Sequence, residues 1–167
     1  RLSILFSSLS FSLAAAAQTY VYTEASDLTL VGKLMPGETT NPYHRVDTLR
    51  YKGFTPTENF QVRMTSGMAC VFRTDSRSLR IKTEYGQLSF PTNTNGFSAR
   101  GYDLYIRKDG EWLFAAAGVA SDKKLDQPFT LISNMDGSMH ECLLYFPLYS
   151  EEYSIRIGVE EGSTIEA

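Results

Sequence analysis

Two histidines, two cysteines and scattered carboxylates are the raw material for chemistry in this 167-residue sequence. His44 follows Asn41-Pro42-Tyr43 in a turn-like stretch, and His140 opens an alternating segment. A zinc centre needs three or four converging His, Cys or carboxylate ligands. Two isolated histidines do not supply them, so no metal and no cofactor are expected, and each histidine reads as a surface or partly buried residue. Gly-x-Ser-x-Gly, a phosphate-cradling glycine loop and a dinucleotide fingerprint are all missing from the sequence. Asp136-Gly137-Ser138 reads as a turn, because no apolar strand runs into it. Glu151-Glu152 and Glu160-Glu161 are sequence neighbours. Neighbours on a strand point to opposite faces, so neither pair can flank one substrate bond. Both read as solvated charge, and no catalytic residue is assigned.

The elements that must position any site are strands. Ten Tyr, ten Phe and one Trp provide for a sizeable core, and ring-bearing and β-branched side chains suit a pleated, half-buried surface. Alternation with period two recurs along the chain. Leu79, Ile81, Thr83 and Tyr85 share one face, with Arg80, Lys82 and Glu84 on the other. The pattern returns over 153–159, and shorter strands are expected over 69–74, 102–107, 111–115, 129–132 and 141–148. Turn-residue clusters between them predict an all-β antiparallel sandwich, jelly-roll-like, in a single domain.

Asp109-Gly110 marks a hairpin with two possible loops. A two-residue loop pairs Arg107 with Trp112 and places Trp112 and Phe114 beside Asp103 and Arg107. A three-residue loop pairs Arg107 with Glu111 and gathers Tyr102, Leu104, Ile106, Trp112 and Phe114 on one apolar face. Register decides which side chains are buried, so the cleaner segregation favours the second loop and a core Trp112.

Residues 1–17 differ from the rest: one Arg, an apolar Ser-rich run and an Ala14–Ala17 cluster. This reads as a secretory signal peptide, since a membrane anchor needs about 20 apolar residues. A secreted or periplasmic protein with no membrane attachment after cleavage is expected, with a sandwich over 18–160 and a linker starting at 161–167. Cys70 and Cys142 share strand faces with Phe72 and with Leu144 and Phe146. They read as buried thiols, with a disulfide as the alternative. A net charge of −3 excludes the basic stripe that nucleic acid demands.

Gly101-Tyr102-Asp103-Leu104-Tyr105 resembles the G-x-D-L-Y signature of a domain preceding bacterial SGNH (GDSL-like) esterase domains. Ser66–Arg73, Asp109–Phe114, Leu144–Tyr149 and Ile155–Val159 resemble the family's other strands in the expected order. The resemblance covers most of 20–165. It implies a β-sandwich ahead of an α/β hydrolase with a Ser-His-Asp set, acting on ester or acetyl groups of carbohydrates. No catalytic residue of that family maps onto this sequence. Asp136 and His140 are four apart where the family block has three, and they sit elsewhere in the order.

The resemblance implies one partner above others, the chain's own C-terminal SGNH hydrolase domain. The binding candidates are Asp103, Tyr105 and Arg107, which share a polar face of a rigid strand. Two readings stand for them: contact with that domain or a ligand, or local work, with Asp103 satisfying backbone N–H groups and Tyr105 covering a sheet edge. A free-standing carbohydrate-binding module is the alternative function, with Tyr43 or Tyr51 as exposed rings. A structural surface domain is a third.

Overall fold

The computed structural model describes residues 18–88 and 92–167, so the expected signal peptide at 1–17 lies outside the described residues. Their strands are β1 (Tyr20–Glu24), β2 (Thr29–Val31), β3 (Ala69–Thr74), β4 (Leu79–Leu88), β5 (Tyr102–Lys108), β6 (Glu111–Gly118), β7 (Phe129–Ile132), β8 (His140–Tyr145), β9 (Ser150–Glu160) and β10 (Ile165–Glu166). Two short helices join them, α1 (Pro56–Gln61) and α2 (Gly96–Arg100). Strands pair antiparallel into a four-stranded sheet, β1-β9-β4-β7, and a six-stranded sheet, β10-β3-β8-β5-β6 with β2 on β3.

Alternation produces the core. Leu79 and Ile81 of β4 and Ile155, Ile157 and Val159 of β9 pack in one cluster with Phe72, Tyr102, Leu104 and Leu144 of the other sheet. Thr83 Oγ1 and the Tyr102 hydroxyl, 2.6 Å apart, hydrogen-bond between β4 and β5, tying the sheets together. Cys70 and Cys142 are unbridged and buried. Burial pushes both thiols up to about 12, which makes them packing groups rather than nucleophiles. The all-β antiparallel sandwich is therefore the fold of this chain. It also runs past the expected boundary at 160: Ile165 and Glu166 pair with Thr74 and Arg73, and Ile165 packs on the core.

The β5–β6 hairpin departs from expectation. Its turn is the two residues Asp109 and Gly110, with φ of 53° and 86°, and Arg107 pairs with Trp112. Two left-handed residues match a type I′ turn, whose twist follows that of the strands. The apolar segregation that favoured the longer loop is given up, because the shorter turn puts Trp112 and Phe114 on the face of Arg107 and Tyr105. The register shifts between Leu104 and Tyr105, leaving Ala115 as an extra residue in β6, and one extra residue exchanges the two sides of a strand. Tyr102 and Leu104 stay buried while Trp112 and Phe114 emerge, 37% and 61% exposed. Trp112 is not a core residue.

A long connection over 32–68 carries α1, which opens on a Thr55–Glu58 capping box. Its Tyr43, expected to be exposed, is wholly buried. The ring meets Phe146 edge-on, centroids 5.9 Å apart, and the hydroxyl donates to Glu24. Tyr51 is half-buried, and its hydroxyl donates to Glu38 over 3.1 Å.

The corrected register has a measurable consequence. Trp112→Ala should cost about 1 kcal/mol or less, whereas Phe72→Ala, which empties a fully buried site, should cost about 3–5 kcal/mol. Chemical denaturation of the two variants compares them directly; equal losses would restore the indole to the core.

Candidate interaction face and a buried carboxylate pair

The segment beginning at Gly101 is built by a close backbone approach. Asn95 caps α2 by accepting from Ser98 N over 2.9 Å, and the Gly101 N–H donates to Phe97 O over 2.8 Å. A Cβ on residue 101 would lie 2.3 Å from that carbonyl oxygen. Only glycine lets α2 fold directly against the start of β5. Tyr102 and Leu104 then turn inward, and Asp103, Tyr105 and Arg107 face out.

On the outer face of the six-stranded sheet these three side chains meet different neighbours. Tyr105 makes edge-to-face contacts with Phe114 and Tyr145, at centroid distances of 5.7 and 5.8 Å and interplanar angles of 78°. Arg107 reaches Glu141 at 3.2 Å, and its guanidinium lies 5.7 Å from the centre of the Trp112 ring. Asp103 makes no hydrogen bond or ion pair among the described residues. It lines a cavity of about 420 Å³ with Phe97, Tyr145, Phe146 and Leu148. Phe97, Phe114, Tyr145 and Leu148 are each more than a third exposed.

The Glu151-Glu152 pair is not solvated. Both side chains are buried, at 1% and 0% exposure. They do point apart, as adjacent strand residues must, but each side is covered. Glu84 pairs with Ser154 and Tyr85 with Glu152, so Tyr153 is an extra residue. Glu152 turns inward and Tyr153 outward, 57% exposed. Glu151 faces the 32–68 connection. Its Oε1 lies 2.8 Å from His44 Nε2 and 3.3 Å from Arg63 Nη1, and its Oε2 accepts from Gln87 N over 2.9 Å. A Cβ on Gly86 would meet Glu151 Oε2 at 2.7 Å, so glycine is what admits the carboxylate.

Glu152 is held as a neutral acid. Burial raises it to about 8, against the opposing hydrogen bonds of Ser150 and Thr65. Hydrogen-bond counting gives the same answer independently. Thr65 Oγ1 sits 2.8 Å from Pro147 O, which can only accept, and 2.8 Å from Glu152 Oε2. One hydroxyl hydrogen cannot serve both at once, and protonation of Glu152 relieves the conflict, since the acid can then donate to Thr65 while Thr65 donates to Pro147.

Neither histidine assembles a catalytic relay. His44 is kept below its ordinary value mainly by burial, with Glu151 opposing, and no hydroxyl hydrogen-bonds to it among the described residues. Asp136, Ser138 and His140 do come together, beyond what the turn reading foresaw. Asp136 Oδ1 accepts from Ser138 N and Oγ and lies 2.9 Å from His140 Nε2. These bonds, led by the Ser138 N–H, hold Asp136 down at about 2. The same Nε2 also faces Ser138 Oγ, at 3.3 Å. A relay needs serine and carboxylate on opposite ring nitrogens; here both crowd one, and the group is a braced turn. No set of three His, Cys, Asp or Glu is placed to hold a metal among the described residues.

The fold and its exposed face define a β-sandwich module. Residues 19–165 match the family described as GxDLY, the N-terminus of SGNH-hydrolase-type esterases, and the chain belongs to that family. A protein from Bacteroides ovatus ATCC 8483, assigned as a GDSL-like lipase, is 34% identical, with a TM-score of 0.81 over 89% of this chain and 43% of its own. The salicylyl-acyltransferase SsfX3 of a tetracycline biosynthetic pathway shares the fold, with a TM-score of 0.55 at 18% identity over 88% of this chain and 41% of its own. This chain thus spans about two fifths of the solved proteins it matches. Among curated proteins none matches the sequence.

Glu152 makes stability fall as pH rises. The folded state keeps a proton that the unfolded carboxylate releases near pH ~4.3, so the contribution is full below that value. It is lost as pH climbs towards about 8, by at most about 1.4 kcal/mol per pH unit. Glu152→Gln, whose amide can still donate to Thr65, should flatten this slope and raise the thermal midpoint at pH 8 above that of the parent. An unchanged slope between pH 5 and 8 would mean the carboxyl is already ionised.

Proposed function

We propose that this chain is the N-terminal accessory domain of a secreted SGNH-type esterase. The outer face of its six-stranded sheet packs against the C-terminal hydrolase domain and forms one wall of the substrate cleft. One observation carries the docking role: a continuous row of rings on rigid strands, the exposed Phe114 and Tyr145 on either side of the half-buried Tyr105, with Trp112 beside it. A large exposed apolar patch on a soluble domain marks a surface that something covers. The last strand, β10, belongs to the same sheet, so chain continuing from it starts at the edge of this face. Ester or acetyl groups on carbohydrate as substrate rest on the family resemblance, and export rests on the sequence of residues 1–17.

A sugar-binding role is the second reading, favoured by the emergence of Trp112 from the core. Ring geometry weighs against it. Sugars stack on an open ring face, whereas Tyr105, Phe114 and Tyr145 interlock edge-to-face and Arg107 lies over the indole. Interlocked edges suit interdigitation with protein side chains.

In the two-domain protein, Phe114→Asp with Tyr145→Asp should separate the domains, read as a larger radius of gyration in small-angle scattering. Scattering identical to the parent's would overturn the docking role. Binding heat with xylan, pectin or mannan that vanishes in Trp112→Ala would put the sugar reading in its place. The chain by itself should turn over no aryl acetate, and Ser138→Ala should change nothing; turnover sensitive to a serine-reactive inhibitor would contradict the reading of the Asp136 turn.

A further inference from the structure

We propose that Asp103 and the aromatic cavity beside it receive one arginine side chain from the hydrolase domain. The inference rests on the docking role above and names the chemistry of its central contact.

Three polar or half-polar side chains leave β5 on the outer face, and two are engaged within the chain. Tyr105 is wedged between Phe114 and Tyr145, and Arg107 is held by Glu141 and Trp112. Asp103 has no hydrogen-bond, ion-pair or ring partner among the described residues. The local role open to it, satisfying backbone N–H groups of a loop, is not the one it performs. Nor does it sit on a mobile tip. It lies in a strand paired on both sides, opposite Ala117 of β6 and Tyr145 of β8. The alanine leaves one flank of the carboxylate uncovered.

Docking changes what this carboxylate costs. In water it is hydrated; under a covering domain it is desolvated, and a buried charge with no partner is expensive. The cation on its own strand face, Arg107, is already taken by Glu141. A domain that covers this face therefore has to bring the positive charge itself. The cavity selects which kind. Phe97, Tyr145 and Phe146 line about 420 Å³ beside the carboxylate. The carboxylate and the exposed Phe97 ring, which no other ring engages among the described residues, together match a planar guanidinium, which pairs bidentately with the one and stacks on the other. Phe97 stands there because Gly101 lets α2 close on β5.

The test uses the two-domain protein and trypsin at limiting concentration, with cleavage between the domains as the readout. When opening is fast relative to cleavage, the rate tracks the open population. Asp103→Asn should accelerate cleavage about tenfold to hundredfold, Asp103→Lys should accelerate it further, and Phe114→Asp should accelerate it too. The thermal midpoint of the sandwich should not move in Asp103→Asn, because that side chain makes no bond within the domain. Acceleration by Phe114→Asp with Asp103→Asn unchanged would overturn the arginine contact and leave the docking role standing. No acceleration by any of the three would overturn the docking role and the contact with it. Wild-type closure restored in Asp103→Lys would show that the partner group is not a cation.

Discussion

Side-chain direction in a strand alternates strictly, and an inserted residue is the means by which the backbone reverses that alternation part-way along. Two such insertions occur in this domain. In the β5–β6 hairpin the two-residue turn itself puts Trp112 and Phe114 on the outer face with Tyr105, and the extra residue at Ala115 brings Ala116 opposite the buried Leu104. At Tyr153 the reversal brings Glu152 in and sends the tyrosine out. The buried acid follows from the inserted residue at Tyr153, and the exposed aromatic face from the short hairpin turn.

Much of the architecture was legible because most strands obey the alternation without interruption. β3, the first half of β4 and the second half of β9 run as their apolar periods require, and the thiols of Cys70 and Cys142 face the core with their neighbours. The errors fall where the rule is interrupted. The hairpin expectation rests on segregating apolar residues over its whole length; the structure takes the shorter, left-handed turn instead and leaves Trp112 and Phe114 outside. Glu151 and Glu152 looked solvated because adjacent carboxylates do point apart. What was invisible was a 37-residue connection, numbered 32–68, folding back to cover one of them with His44 and Arg63. Such long-range closure leaves no local trace, and neither does the burial of Tyr43 beneath Phe146.

The short signature on β5 can now be read as physics residue by residue. Gly101 is needed for a contact no Cβ would survive, Leu104 is a fully buried core residue, and Tyr105 is the hub of two edge-to-face ring pairs. Asp103 is the member whose chemistry the sandwich does not use. The sequence placed it on an outward face together with Tyr105 and Arg107 but could not separate the three. The separation comes from partners: two of them are occupied inside the domain and one is not.

The two buried-charge strategies in this molecule also explain why its faces are not interchangeable. Beneath the 32–68 connection, Glu151 is compensated by His44, Arg63 and the Gln87 N–H, while Glu152 keeps its proton and becomes a donor to Thr65. Every charge taken from water there is either paired or neutralised within the chain, and that side of the sandwich is complete. The outer face of the six-stranded sheet carries the opposite arrangement, a carboxylate and exposed rings that remain tolerable only in water. Burying apolar area favours covering this face at roughly 25 cal/mol per Å², yet the same act strands Asp103 unless compensation arrives with the covering surface. In the docking we propose, hydrophobic area would supply the drive for association and the lone carboxylate the selectivity, because only a partner bearing a matching cation would occupy the face without leaving a buried charge uncompensated.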